Sequence, residues 1–194
     1  MTLLPLIAGL LLFLGVHSTR VFGEGFRTAQ IARLGLNGWK SLYALASIAG
    51  FVLIVWGYSL AQQQPIALWS TPVALRHLAA PLTLIAFIFL VATYVPGNGI
   101  KARLHHPMIL AVKIWAIAHL LANNSLADLL LFGSFLLWAV VDFRAARARD
   151  RTAGTVYPAG HLTKTLLCVG VGTAAWAAFA FWAHAAWIGV RPIG

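Results

Sequence analysis

The chain has 194 residues, 61% of them hydrophobic and only 9% charged, with a mean hydropathy of +0.85. A soluble domain carries about 25% charged residues, so this chain is too poor in charge to cover a water-facing surface and reads as an integral membrane protein. Its net charge of +10 does not point to nucleic acid. Lys and Arg sit in short connections between apolar runs, not on a basic helix face or tail, which is the pattern of topology determinants. One cysteine, Cys168, excludes an internal disulfide and any multi-cysteine zinc or iron–sulfur site.

The first apolar run, residues 3–19, begins MTLLPLIAGLLLFLGVHSTR and resembles a secretory leader. It lacks a basic n-region, and no A-x-A-like site follows Leu14, so it is expected to be a retained span. Further apolar runs follow at 40–60, 73–95, 107–122, 125–143 and 163–188. Each approaches the roughly 20 residues needed to cross a hydrocarbon core of about 30 Å. Gly23, Gly25, Gly35 and Gly38 punctuate the first connection, Gln62 to Pro65 and Pro72 the second, and Pro96 to Gly99 the third. Asn123-Asn124-Ser125 reads as a tight turn with Ser125 as an N-cap, and Pro107 suits the first position of its helix. The sequence therefore predicts an all-α polytopic transmembrane helical bundle of about six spans, forming one domain over residues 1–194.

Charge orients these spans. The first connection holds Arg20, Arg27, Arg33 and Lys40, and the third holds Lys101 and Arg103. The fifth holds Arg144, Arg147, Arg149, Arg151 and Lys164, whereas the second and the Asn123 turn hold neither Lys nor Arg. The positive-inside rule places the basic loops in the cytoplasm and both termini on the outer, periplasmic side of a bacterial inner membrane. Trp69, Trp182 and Trp187 then fall near the outer interface, as aromatic belts do.

Two histidines, His17 and His119, lie inside apolar runs where an ionisable ring is costly, and such residues mark cofactor or substrate paths. On the first span Pro5, Gly9, Phe13 and His17 share a face, and Gly9 would let a flat ligand or another helix approach. Arg20, and further on Arg27, would meet the acid groups of a cofactor held by His17. Haem b has that form, an apolar macrocycle with two propionates. On the fourth span Trp115, His119 and Asn123 share a face beside a seam of Ala111, Ala118 and Ala122. His119 lies about 18 Å along the helix from Pro107, and its neutral imidazole suits axial iron ligation. Each ring also has a bland reading, a hydrogen bond that knits helices together for on the order of 0.6–2 kcal/mol. With straight spans His17 sits nearer the cytoplasm than His119 by roughly 10 Å, so a shared haem requires a tilted plane or a displaced first helix. His105 and His106 read as a solvated pair at the rim. His77 and His184 read as interfacial, His161 as a loop residue, and Asp128 and Asp142 as end-of-helix charges.

No phosphate loop, serine-nucleophile elbow, H-E-x-x-H or C-x-x-C-H is present, and four carboxylates are too few for carboxylate-bridged metal centres. The stretches LFLGVHSTR, HHPMILAVKIWAIAHLLANN and HAAWIGVRP resemble the NnrU family, a group of membrane proteins associated with denitrification and related to the plant zeta-carotene isomerase. The resemblance covers nearly the whole chain. It implies iron ligation by the residues at His17 and His119, with haem b as cofactor; the reading of the two spans adds Arg20 and Trp115 as cofactor-binding residues. Where the plant enzyme carries a cysteine three residues before the second ligand, this chain has Ala116, so sulfur ligation there is ruled out.

The function expected is redox-linked: a part in nitrogen-oxide respiration or the haem-dependent cis–trans isomerisation of a polyene. The implied partners are the lipid bilayer, respiratory or denitrification membrane proteins, and a lipophilic substrate, with no nucleic acid. The alternative is a non-enzymatic assembly or accessory protein for nitrite or nitric oxide reductase, with purely structural histidines. A transporter using Lys113 and His119 as gating charges ranks last, because the sequence holds no inverted repeat and no matched pair of broken helices.

Overall fold

The computed structural model describes residues 3–192, and among them the regular structure is helical, with two isolated bridges in place of strands. Chain order is α1 (Leu4–His17), α2 (Thr19–Phe22), α3 (Glu24–Gln62), α4 (Val73–Tyr94), α5 (Gly99–Leu104), α6 (Pro107–Ala122), α7 (Leu126–Ala153) and α8 (Leu162–Ala178). A π-helical turn (Phe179–Ala183) then leads into α9 (His184–Ile188). Residues Met1–Ser70 with Asn124–Ala145 form one compact unit, and Thr71–Asn123 with Ala146–Gly194 form a second.

Four helical stretches are long and apolar enough to cross a membrane: Glu24–Gln62, Val73–Tyr94, Leu126–Ala153 and Leu162–Ile188. The two others foreseen as spans are shorter. α1 has 14 residues and α6 has 16, about 21 and 24 Å of helix against a hydrocarbon core of about 30 Å. Those two short helices carry His17 and His119. The glycine-rich first connection is itself helical, a departure from the loop its breakers suggest. Residues Glu24 to Leu34 join the helix, and only Gly35, at φ 72° and ψ 165°, leaves helical geometry and kinks it.

The first unit is built on close backbone contact between α1 and α3. A methyl group at Gly9 would lie 2.6 Å from the Ile54 nitrogen, and one at Gly50 would lie 2.8 Å from the Phe13 nitrogen. At Gly57 it would lie 2.7 Å from the Leu6 Cα. Glycine is required at these positions because helices in lipid associate through packing, and small residues let the backbones touch. The face of Gly9 therefore receives a helix and not a flat ligand.

The antiparallel bridge of Ala67 with Ser125 joins the segment after α3 to the start of α7, with Leu68 N–H donating to Asn124 O and Leu126 N–H to Ile66 O, both at 2.8 Å. Ser125 caps α7 as its sequence suggests: its Oγ accepts from Asp128 N–H at 3.1 Å and donates to Asp128 Oδ2 at 2.6 Å. Asp128 is the end-of-helix charge expected, in the first turn of α7, but it is buried. It is 4% exposed and also accepts from Tyr58 Oη at 2.5 Å and Gln62 Nε2 at 3.1 Å. Burial of a carboxylate in an apolar helix packing is tolerated only when its lone pairs are filled in this way.

In the second unit α4 packs on α6 and α8. Asn98, 1% exposed, closes the turn after α4, with Nδ2 donating to Ala92 O and Val95 O and Oδ1 accepting from Lys101 N–H.

Gly57→Ala is expected to destabilise the protein by about 1–3 kcal/mol through overpacking. Gly15→Ala, with nothing within 4 Å of the added carbon, is expected to be neutral or to gain up to about 1 kcal/mol of helix propensity. Denaturant unfolding in detergent, followed by circular dichroism, separates the two.

Candidate functional site

His17 is the last residue of α1, and its Nδ1 lies 2.7 Å from the Phe13 carbonyl oxygen one turn back. A carbonyl can only accept, so Nδ1 carries the proton and Nε2 carries the lone pair. The ring stacks on Phe13 at 4.2 Å and 25°, and faces Tyr43 at 5.2 Å and the edge of Trp138 at 6.0 Å and 90°. Trp138 Nε1 is buried and has no hydrogen-bond partner. A buried indole N–H left unpaired costs about 1–3 kcal/mol, so the aromatic box around His17 holds a donor that calls for an oxygen acceptor.

His119 repeats the same local device on α6. Its Nδ1 lies 2.8 Å from the Trp115 carbonyl, again one turn back, which again leaves Nε2 as the basic nitrogen. The Trp115 ring is tilted against the imidazole at 5.1 Å, and Asn123 Nδ2 donates to the His119 carbonyl at 3.0 Å. The shared face of Trp115, His119 and Asn123 is thus present. Ala111, Ala116 and Ala118 are buried, so position 116 admits no larger side chain without displacing a neighbour.

His17 belongs to the first unit and His119 to the second. Of the cations expected near the cofactor, Arg20 is exposed on α2 three residues beyond His17. Arg27 is engaged elsewhere, paired with Glu24 at 2.8 Å. Among the described residues no group of three or more His, Cys, Asp or Glu side chains is placed to hold a metal ion. A porphyrin supplies four equatorial nitrogens itself, so the protein need add only axial donors. Each imidazole by itself, with its Nδ1–H on a helix carbonyl, offers a donor nitrogen of that kind, and the one on α1 lies beside an unpaired indole N–H.

His105 and His106 are not the solvated pair expected. The chain turns at Leu104-His105-His106 in a γ-turn, with His106 N–H donating to Leu104 O at 2.8 Å and His105 at φ 69° and ψ −51°. That conformation is rare and strained for a residue with a Cβ. It is held by side chains: His105 stacks on Tyr157 at 4.0 Å and 9°, and Arg147 bonds its Nδ1. His106 Nε2 meets Asp150 Oδ2 at 2.8 Å, and Tyr157 Oη donates to the same oxygen at 2.9 Å. Five polar side chains from three segments thus gather at the end of the second unit. The H-H-P motif marks a helix start in the sequence, but its partners lie more than forty residues away, where no spacing rule reaches. Nor does periodicity bring Tyr43 and Trp138 to His17, because they come from other helices.

Of the remaining histidines, His77 and His161 are exposed, and His184 Nδ1 lies 2.7 Å from the Val190 carbonyl near the chain end.

Long apolar helices, the buried side chains of Asp128 and Asn98 satisfied within the protein, and the exposure of many Leu, Phe and Trp side chains make this a helical membrane protein. It belongs to the NnrU family, matching the family description "NnrU protein" over residues 5–192 of the chain. No curated protein matches it, and no solved structure does.

Burial pushes the Tyr157 phenol up, and the hydrogen bond and negative charge of Asp150 add to this against an opposing effect of Arg147. A raised folded value means that this contribution to stability is fully present below the ordinary tyrosine range, about 10, and is lost only as pH rises through the folded value. Tyrosinate absorbance of wild type minus Tyr157→Phe is expected to titrate above that range, and in Asp150→Asn to fall back toward it. An unmoved midpoint in Asp150→Asn would assign the shift to burial alone.

Proposed function

We propose that this NnrU-family protein is a haem b protein of the bacterial inner membrane, with both termini on the periplasmic side, in which His17 and His119 would hold the haem iron. The observation that carries the reading is the repeated imidazole device: in each ring Nδ1–H is spent on the helix carbonyl one turn back, so Nε2 is the donor nitrogen. Such an outer hydrogen bond fixes the tautomer and raises the basicity of a metal-bound imidazole. Trp138 Nε1, unpaired beside His17, is assigned to an oxygen atom of the bound group, and Arg20 to a propionate. Trp115 is assigned to the wall against which the macrocycle and the His119 ring pack. When bound, haem supplies one-electron chemistry at a potential set by its axial ligands and apolar surroundings. The role is redox-linked, in nitrogen-oxide respiration or in cis–trans isomerisation of a lipophilic polyene.

A second reading, an accessory protein for nitrite or nitric oxide reductase, draws support from the packing of His17 among Phe13, Tyr43 and Trp138. Such packing also serves a purely structural ring.

Protein purified in detergent from cells supplied with a haem precursor is expected to show a Soret band and a pyridine haemochrome of haem b. His17→Ala and His119→Ala are each expected to remove most of the band, and the double variant all of it. Colourless wild-type protein that brings a respiratory partner through purification would establish the accessory reading instead.

A further inference from the structure

A cavity of about 760 Å³ lies wholly within the second unit, lined by α5, the end of α4, the segment after α7 and the start of α8. That size lies inside the range of about 300–1,000 Å³ usual for small-molecule sites. Neither His17 nor His119 lines it, and nor does any other residue assigned to haem.

Its chemistry is divided. Phe89, Ile100, Leu104 and Leu162 supply apolar wall, while Arg103, Tyr157 and Thr165 supply the polar side chains. Two of those three are already committed. Thr165 Oγ1 accepts from Gly99 N–H at 2.8 Å and donates to His161 O at 3.0 Å, and Tyr157 donates to Asp150. Arg103 is exposed and makes no hydrogen bond or ion pair among the described residues. No carboxylate lines the cavity. The nearby carboxylate, Asp150, is itself bonded by His106 and Tyr157. Two more cations stand on the same segments, Lys101 on α5 and Lys164 on α8, the latter with Nζ over Gly97. The wall therefore presents an exposed guanidinium that no acid among the described residues pairs, in a cationic neighbourhood.

The surroundings continue this division outward. Leu162, Leu166 and Val156 are 72, 60 and 83% exposed, so uncovered apolar side chains stand on the segments that carry the cationic mouth. Basic pockets between helix ends at a membrane surface suit lipid headgroups. A guanidinium matches a phosphate with two parallel N–H donors.

We propose that this cavity binds one anionic phospholipid, its phosphate on Arg103 and its glycerol and upper acyl carbons along Phe89, Ile100, Leu104 and Leu162. The strained His105 turn and the stacked, bonded Tyr157 hold the wall in place before the lipid arrives. The inference does not rest on haem.

The test uses the full chain reconstituted in nanodiscs of phosphatidylglycerol or of phosphatidylcholine, followed by native mass spectrometry of retained lipid. Wild type is expected to keep one phosphatidylglycerol at energies that strip phosphatidylcholine. Arg103→Gln is expected to weaken that retention about tenfold, as loss of a charge-assisted phosphate pair does, with Arg103→Lys in between. Ala159→Trp, which fills the cavity from an exposed lining position, is expected to abolish it, while Arg151→Gln, outside the cavity, leaves it unchanged. Equal retention of the two lipids, or retention indifferent to both Arg103→Gln and Ala159→Trp, overturns the proposal. Displacement of the lipid by millimolar inorganic phosphate alone also overturns it, because the site is then one for a free anion. Circular dichroism of each variant separates lost binding from lost folding. The Soret band of the same samples reports on haem independently, so failure of one reading leaves the other standing.

Discussion

Hydrocarbon offers no partner to a hydrogen-bonding group, and that constraint governs this structure. Buried polar side chains are satisfied within their own unit and mostly at short range. Asp128 gathers Tyr58, Gln62 and Ser125; Asn98 closes a turn on Ala92, Val95 and Lys101; His17 and His119 each lean on a carbonyl four residues earlier. Two buried polar atoms among the described residues depart from this rule, Thr71 Oγ1 and Trp138 Nε1, and the second lies in the aromatic surroundings of His17.

The same constraint shapes how helices meet. Without water to drive apolar surfaces together, α1 is held to α3 by the absence of side chains at Gly9, Gly50 and Gly57, which lets dispersion contacts form between backbones. That contact delivers His17, the final residue of α1, to Tyr43 on α3 and Trp138 on α7. A short helix ending at an imidazole is thereby placed by close contacts at Phe13, Gly9 and Leu6, between about one and three turns back along it. The energy of the helix pair is spent on positioning one ring.

The end of the second unit follows the opposite regime. There, at the level of helix ends, charged and titratable groups crowd together, and a backbone turn costing about 1–3 kcal/mol is held by stacking and ion pairing. The unit thus offers two kinds of chemistry: an imidazole set against the Trp115 ring and carbonyl on α6, and a polar frame beside a cationic cavity at α5. The first is the one assigned above, as a proposal, to a flat and mostly apolar cofactor. The second suits an amphiphile with an anionic head.

Much of this was legible in the sequence. Hydropathy located α4 and α6 to within a residue and showed α8 through α9 as one apolar stretch, because membrane solvation acts on each segment separately. Ser125 and Pro107 announced their helix starts through local capping chemistry. His17 and His119 stood out because an ionisable ring in an apolar run is a one-residue signal, and even their hydrogen bonds lie at i−4, within a single helix. What the sequence did not carry is everything that joins distant segments. Asp128 was legible as a charge at a helix end but not as a buried hub; His105 and His106 looked solvated and are bonded to Arg147 and Asp150; the Gly9 face suited a flat ligand or a helix, and it receives α3. Those outcomes depend on which helices touch and at what register, and in lipid such pairing is set by small shape fits between near-equivalent apolar surfaces. Local composition therefore decides what enters the membrane, while only the packed tertiary structure decides which polar groups meet there.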